Sequence, residues 1–368
     1  MDTEVVIIGA GAIGLAIARK VVSEGHSAIL LEKEPQYGLG ISSRSSEVIH
    51  AGIYYHTGSL KASLCLEGKI LVYEHCKKYN IKHEKVGKLF IAVTKDEIPK
   101  LELTKRQAME NGVDDLIELD SGQIKEVEPG INAVAALLSP SSGIFDSHSF
   151  MKSLLISAES DGLIFAANSP VVGAERANSA WTVRLGGKEK VSVTCKVVIN
   201  AAGLYAIDLS NVVFHGRNVP RLYPTKGSYI RYSGKSPVQH IIYPAIVPGL
   251  IEERVDATPD LEASLRFGPN TEKTDRLEDF SIAKNIVESM APAIKRYLPN
   301  LDTSRLQPDI SGIRPRIFGS KEPVEDFCFD WAPEPGWLDL WGIESPGLTA
   351  SLAIANYVYA LMLERDIL

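Results

Sequence analysis

The stretch EVVIIGAGAIGLAIARKVVSEGHSAILLE, Glu4 to Glu32, decides the fold. Glu4 to Ile8 is a β-branched apolar run, the pattern of a strand buried on both faces, and it feeds directly into Gly9-Ala10-Gly11-Ala12-Ile13-Gly14. Leu15 to Ser23 carries apolar residues at helical spacing, Gly25 stops the helix, and Ser27 to Leu31 reads as a second strand ending at Glu32. The order is strand, glycine turn, helix, strand, acid, and each part has a task on a dinucleotide. Gly9 makes the tight turn, Gly11 lets the amides around Ala12 and Ile13 approach a pyrophosphate, and Gly14 lets helix and strand pack closely. The helix N-terminus then faces the phosphate charge. Glu32, with Lys33 beside it, ends the second strand where a carboxylate accepts both hydroxyls of an adenosine ribose and repels a 2′-phosphate.

Ten residues after Glu32 begins SSRSSEVIHAGIYY, Ser42 to Tyr55. A Ser-rich segment is ordinarily a solvated turn. Placed just beyond the second strand, this one can reach back across the nucleotide, where the hydroxyls of Ser42, Ser43 and Ser45 and the charge of Arg44 suit a pyrophosphate, which offers only acceptors. His50, Tyr54 and Tyr55 lie farther along and fall nearer the reactive end of the cofactor.

Two later segments choose between NAD and FAD. Val197 to Asn200, followed by Ala201-Ala202-Gly203, reads as a buried strand ending in small residues, as for a close backbone approach to the nucleotide. Trp337 to Trp341 reads as a strand, then come Gly342-Ile343-Glu344-Ser345-Pro346-Gly347-Leu348-Thr349 and a long apolar helix. Pro346 and Gly347 open that helix with its amides bare, and a positive helix end is what an anionic reduced flavin needs near N1 and O2. An ordinary helix start is the alternative for this segment alone. A second dinucleotide-facing helix end at the far terminus favours a cofactor longer than NAD.

Composition sets the outer bounds. The chain of 368 residues is 45% hydrophobic and 23% charged, enough for a large core divided between two domains. A net charge of -7 supplies no basic field for nucleic acid. Four cysteines show no C-x-x-C pairing, and Cys65 and Cys76 fall about 16 Å apart on one predicted helix, too far to bridge. Reduced thiols and an acidic N-terminus leading straight into a strand imply a cytoplasmic protein without a secretory signal. The apolar segment Leu348 to Leu363 is interrupted by Thr349, Ser351 and Asn356 and falls short of the ~20 residues of a membrane span. No His/Cys/carboxylate cluster has metal-ligand spacing.

Gly9 to Glu32, the Ser42–Tyr55 block, GSLKASLCLEG from Gly58 to Gly68, the Asn200–Gly203 block and GIESPGLTASLAIA from Gly342 to Ala355 together resemble the L-2-hydroxyglutarate dehydrogenases and oxidases. These belong to the D-amino-acid-oxidase-like FAD oxidoreductases, alongside glycine oxidase and glycerol-3-phosphate dehydrogenase. The resemblance implies an α/β, overall α+β, architecture: a Rossmann-like FAD-binding domain from residues 1–82, 146–218 and 334–368, and a substrate domain from 83–145 and 219–333 on a mixed, largely antiparallel sheet. Within the latter, Lys85 to Val93 reads as an alternating strand, Asp96 to Asn111 as a helix, and Ser281 to Met290 as another helix.

The resemblance also implies roles. Gly312-Ile313-Arg314-Pro315 is similar to the Gly-x-Arg-Pro segment whose arginine clamps the substrate carboxylate in amino-acid and glycine oxidases, so Arg314 is the expected clamp, against the alternative of pairing with a nearby glutamate. Oxidising a 2-hydroxy acid also removes a hydroxyl proton, and His50 suits that task or a hydrogen bond to the flavin, or both. Tyr54 and Tyr55 either orient the substrate or pack; Lys226 and Tyr243 are candidates for a second carboxylate. One departure stands out. The family pattern carries a histidine ahead of the Phe-Gly-Pro strand, here Phe267-Gly268-Pro269, and the matching position is Asp256, next to Glu252-Glu253-Arg254. Carboxylates lining a pocket there would repel a dicarboxylate.

The expected function is therefore FAD-dependent oxidation of a 2-hydroxy acid, foremost L-2-hydroxyglutarate, by hydride transfer to flavin N5. Within enzymes the alternative is an amino-acid or amine oxidase of the glycine oxidase type; outside them, a non-catalytic flavin- or NAD-binding protein. The electron acceptor is open between oxygen, a quinone and a carrier protein, and a quinone would bring peripheral contact with the inner membrane although no strongly basic amphipathic helix is present.

Overall fold

The computed structural model describes residues 1–187, 191–245 and 254–368. Val5–Ile8, Ala28–Leu31 and Val197–Asn200 are apolar and buried throughout, so they pair as inner strands of a parallel sheet, with Val5 in register with Ala28 on one side and Val197 on the other. Ile164–Ala166 extends the sheet past Ala28–Leu31, and Trp337–Trp341 extends it past Val197–Asn200, both parallel. Cys328–Trp331 closes that edge in the antiparallel sense. The sequence reading placed this last strand with the substrate segments, but the turn through Gly336, at φ 86°, folds it onto Trp337–Trp341.

Each face of this sheet has its own cover. The helices Ala12–Ser23, Leu60–Lys78, Ser147–Ser160 and Gly347–Glu364 bury Leu15, Ile17, Leu154 and Ile354 against Val5, Ile7 and Leu30. Each such fully buried side chain is worth roughly 1.5–3 kcal/mol. The other face carries Val6, Ile8 and Val198 and is covered by the antiparallel strands Val171–Ala177, Ala180–Leu185 and Ser192–Cys195, with Trp181 and Trp337 packed at 5.1 Å between ring centroids.

The second sheet has nine strands, in the order Glu272–Lys273, Thr225–Tyr232, Leu265–Phe267, Ala257–Pro259, Ile241–Pro244, Lys88–Ala92, Ala135–Ser139, Ile117–Asp120, with Leu306–Arg314 paired to Thr225–Tyr232. Among the described residues only Ile241–Pro244 and Lys88–Ala92 run parallel, so the sheet is mixed and largely antiparallel as the sequence implied. Two local readings are corrected. The strand around Lys88 does not alternate: Lys88 to Ala92 are all buried, because Ile241–Pro244 and Ala135–Ser139 flank it and the aromatic side chains of Tyr54 and Tyr243 close over it. The later helix spans Ile286–Tyr297 rather than Ser281 to Met290, since Ser281 is held in a turn by the Asp279 carboxylate while Ile286, Met290, Ile294 and Tyr297 form a buried stripe that carries the helix past Pro292. The helix at Ile98–Glu110 matches the expected one. Among the described residues no helix is long and apolar enough to cross a membrane.

Candidate active site

Backbone geometry at the first turn follows directly from its glycines. Gly9 sits at φ 100°, and a Cβ there would lie 2.6 Å from the Ala201 carbonyl oxygen; a Cβ on Gly14 would lie 1.9 Å from the Gly9 carbonyl oxygen. Those two contacts draw the Ala201–Gly203 turn and the helix Ala12–Ser23 against the end of the first strand. The Ala12 amide at the helix start donates to Ser42 Oγ at 2.9 Å, so the Ser42–Tyr55 block does fold back over the glycine turn. Glu32 ends the second strand, its carboxylate accepting the Ala10 amide at 2.7 Å and the Glu34 amide at 3.0 Å.

From this turn a cavity of about 1170 Å³ runs between the two sheets. One end is walled by Glu32, Lys33 and Glu34; the middle by Gly9, Gly11, Ala12, Ile13, Ser42 and Ala201 to Gly203; the far end by Ser345 to Thr349, His50, Tyr54, Tyr55, Tyr229, Tyr243, Arg254, Asp256 and Arg314. The second helix start, at Gly347, has Pro346 as its cap and no side chain capping it. A cavity with an acid at one end, two helix starts whose cap residues supply no side-chain bond and small residues between them fits a long dinucleotide.

The far end is built around His50. Its backbone amide donates to Thr349 Oγ1 at 3.1 Å, tying it to the Gly347 helix start. Its Nε2 lies 3.3 Å from Ser345 Oγ, and its Nδ1 lies 3.4 Å from the Lys88 ammonium nitrogen. Tyr54 and Tyr55 stand edge-on to the imidazole, each at 6.5 Å between centroids. Burial, then the charges of Lys88 and Arg254, push the His50 pKa well below its ordinary value, so the ring is neutral at physiological pH. Burial raises the pKa values of Tyr54, Tyr55 and Tyr243, which remain protonated hydroxyls.

Arg314 ends the strand Leu306–Arg314, opposite Thr225, and lines the cavity; its guanidinium has no hydrogen-bond or ion-pair partner among the described residues. The glutamate on the same wall, Glu344, is held between Lys61 at 3.0 Å and Arg316 at 3.2 Å; burial raises the Glu344 pKa, but these two cations, with the more distant charge of Arg314, outweigh it and hold the carboxyl below its usual range. Asp256 does reach the cavity, but paired: Arg254 Nε lies 2.6 Å from its carboxylate while the guanidinium stacks 4.4 Å over the Tyr243 ring. The charge conflict expected from Asp256 is thus neutralised locally. Glu252 and Glu253 lie outside the described residues.

Several expected residues take other places. Lys226 does not line the cavity; it runs to the Ser281 carbonyl at 3.0 Å and the Asp279 carboxylate at 3.5 Å, on the other face of its strand. Arg44 lines the cavity but does not serve the glycine turn: its guanidinium stacks 3.7 Å over Phe280 and donates to the Ser311 carbonyl, because the Arg44 backbone packs against Gly312 of the second sheet. Ser43, Gly14 and Gly342 lie behind the wall, whereas Ser45, Leu348 and Thr349 form part of it. Lys33 covers the Tyr205 ring at 3.8 Å and pairs with Glu34 at 3.3 Å. Sequence reasoning missed Lys88 as a site residue. Its signal is a lysine abutting the apolar run Leu89-Phe90-Ile91-Ala92.

The family model described as FAD dependent oxidoreductase matches residues 4–361. The chain belongs to the FAD-dependent oxidoreductases. Among curated relatives, the mitochondrial L-2-hydroxyglutarate dehydrogenase of Arabidopsis thaliana is 36% identical over 96% of this chain and 82% of its own length, and that of Homo sapiens is 31% identical over 96% and 87%. Among solved structures, the L-α-glycerophosphate oxidase of Mycoplasma pneumoniae, with FAD bound, superposes with a TM-score of 0.89 at 24% identity, covering 98% of this chain and 94% of that one. FAD is therefore the cofactor of this oxidoreductase, and the residues that would hold it are Glu32 at the adenosine end, the Gly9–Ile13 turn with Ser42 at the pyrophosphate, and the Ser345–Thr349 helix start at the ring.

Proposed function

We infer that this oxidoreductase converts L-2-hydroxyglutarate to 2-oxoglutarate. The observation that carries the reading is the presence, at one cavity end, of a guanidinium with no hydrogen-bond or ion-pair partner among the described residues, Arg314, and an imidazole kept neutral, His50. The Arg314 fork takes the carboxylate beside the reacting carbon in two parallel bonds, fixing the carbon's orientation. His50 Nε2 accepts the hydroxyl proton as the C–H pair departs as hydride and the C=O bond forms. FAD supplies the hydride acceptor when bound. Tyr54 and Tyr55 flank the imidazole and limit water around it. Arg254 and Tyr243 lie on the same wall and offer a cation and a hydroxyl to the distal carboxylate, with Asp256 already neutralised by the former. The identity to the Arabidopsis and human dehydrogenases supports the choice of substrate.

An anaerobic titration of the purified flavoprotein tests this. L-2-hydroxyglutarate is expected to bleach the flavin absorbance, with lactate, glycine and glycerol 3-phosphate far slower. Bleaching by glycine or glycerol 3-phosphate but not by the hydroxy dicarboxylate overturns the substrate and leaves the clamp. Reoxidising the bleached protein with oxygen, a soluble quinone or a carrier then ranks the acceptors.

A further inference from the structure

Lys88 is a buried base beside His50 that the steps above leave without a task. It is 1% exposed and does not line the cavity, lying behind His50 with its ammonium nitrogen 3.4 Å from Nδ1 and 4.1 Å over the Tyr243 ring. The two imidazole nitrogens therefore look in different directions: Nε2 toward Ser345 on the cavity wall, Nδ1 toward a lysine that the cavity does not reach. A hydrogen bond at one nitrogen of a neutral imidazole dictates what the other can do.

We propose that His50 and Lys88 form a concerted two-proton relay, in which Nε2 takes the substrate's hydroxyl proton while Nδ1 hands its own proton to the Lys88 amine. The inference rests on the reading of His50 as the base. In bonds, the substrate O–H breaks and Nε2–H forms, Nδ1–H breaks and Nζ–H forms, and the C–H bond breaks with its electron pair leaving as hydride, for which FAD would be the acceptor. The imidazole ends neutral in its other tautomer and the lysine ends as ammonium. Geometry demands such a sink, because an imidazolium here would sit in a buried wall beside Lys88 and Arg254.

The lysine is suited to receive the proton. Burial pulls its pKa down to about 7; Asp256 pulls it up, Arg254 from the same segment pulls it down, and Cys65 on the helix Leu60–Lys78 pulls it up. Tyr243 and Phe90 face it with ring surfaces only. With Lys88 neutral, Nδ1 donates to it and the Nε2 lone pair is free. With Lys88 charged, the ammonium donates to Nδ1, the ring proton sits on Nε2, and His50 cannot accept. Flavin reduction should therefore speed up as pH rises through about 7, the limb belonging to Lys88 and not to His50.

The test uses the FAD-loaded protein and the anaerobic reduction rate with L-2-hydroxyglutarate across pH. In the parent protein the rate is expected to rise around pH 7, with a bowed dependence on deuterium fraction from two protons in flight. In Lys88→Met the limb near 7 disappears and the rate falls roughly a hundredfold, the low end for loss of acid–base assistance. Lys88→Arg, a permanent donor to Nδ1, is expected to be slower than Lys88→Met; a purely structural cation would give the opposite order. Independently of turnover, the ¹⁵N signal of His50, assigned by its loss in His50→Asn, should switch tautomer near pH 7 in the parent and not in Lys88→Met. A limb and a tautomer switch that survive in Lys88→Met, or Lys88→Arg matching or outpacing Lys88→Met, overturn the relay while leaving His50 as base. No bleaching by any hydroxy acid overturns the base reading, and the relay with it.

Discussion

Two buried charges, one in each sheet, are treated in opposite ways. Asp339, on the strand Trp337–Trp341 of the nucleotide sheet, is 0% exposed, and its carboxylate accepts from Asn200 at 2.6 Å, Ser210 at 2.6 Å, Trp337 Nε1 at 3.0 Å and Arg217 at 2.6 Å. Lys88, on the substrate sheet, is as deeply buried and has only an imidazole nitrogen and ring faces around it, with no ion pair among the described residues. Desolvation raises the Asp339 pKa against these donors, and lowers that of Lys88 with too little to oppose it. A charge surrounded by matched partners locks a structure. One without an ion-pair partner costs stability, and such groups cluster at functional sites.

The largest effect that would break the comparison concerns Asp339. Asp339→Ala strips one carboxylate from four donors and leaves Arg217 with Asp330 alone, at 2.7 Å. Breaking a buried, hydrogen-bonded ion pair costs about 3–5 kcal/mol, which urea denaturation followed by circular dichroism will read as a lower midpoint. Because Asn200 leads into Ala201–Gly203, FAD affinity should fall as well. A loss below 1 kcal/mol would place Asp339 in the same class as Lys88 and erase the contrast.

Lys88→Met should move stability the other way. The lysine's folded pKa, about 7, lies below its unfolded value near 10.4, so the unfolded chain binds more protons between the two and parent stability rises with pH across that window. The penalty is full below pH 7 and gone above 10.4. Removing it should stabilise the protein by roughly 1–4 kcal/mol at pH 6, a range typical of replacing buried charge by an apolar side chain of similar volume, and by almost nothing near pH 10.5. A Lys88→Met protein less stable than the parent at pH 6 would show that the lysine is structural.

The same contrast explains what the sequence discloses. The nucleotide half is legible because its signals are short-range: a positive φ at Gly9, the close contact at Gly14 and the acid at Glu32 all lie within one βαβ unit. The substrate half is set by contacts distant in sequence. Arg44 was assigned to a phosphate from its neighbours, yet its position is decided by Phe280 and by Ser311, 267 residues away. Lys226 and Lys88 both sit on strands, where one residue of phase decides between cavity, core and solvent. Nothing local tells that Tyr243 and His50 will close over Lys88 or that Asp279 will claim Lys226. Asp256 was found by counting back from Phe267, but its neutralisation by Arg254 is a side-chain geometry that spacing does not contain.

The smallest expected effect lies on the nucleotide side, at Ser42. Its Oγ accepts the Ala12 amide, the first of the helix Ala12–Ser23, which has no acceptor within the helix. Ser42→Ala removes that acceptor, costing about 1 kcal/mol of local stability, but it also leaves the amide wholly available to a pyrophosphate oxygen. The two terms oppose each other in the FAD-binding equilibrium, so the dissociation constant should change by less than about fivefold, or 1 kcal/mol, while the thermal midpoint of the FAD-free protein drops by a few degrees. Fluorescence quenching of added FAD measures the first and a melting curve the second. A weakening beyond tenfold would mean that the serine hydroxyl itself donates to the phosphate, and that the nucleotide half, like the substrate half, keeps a polar group for its ligand at the expense of the fold.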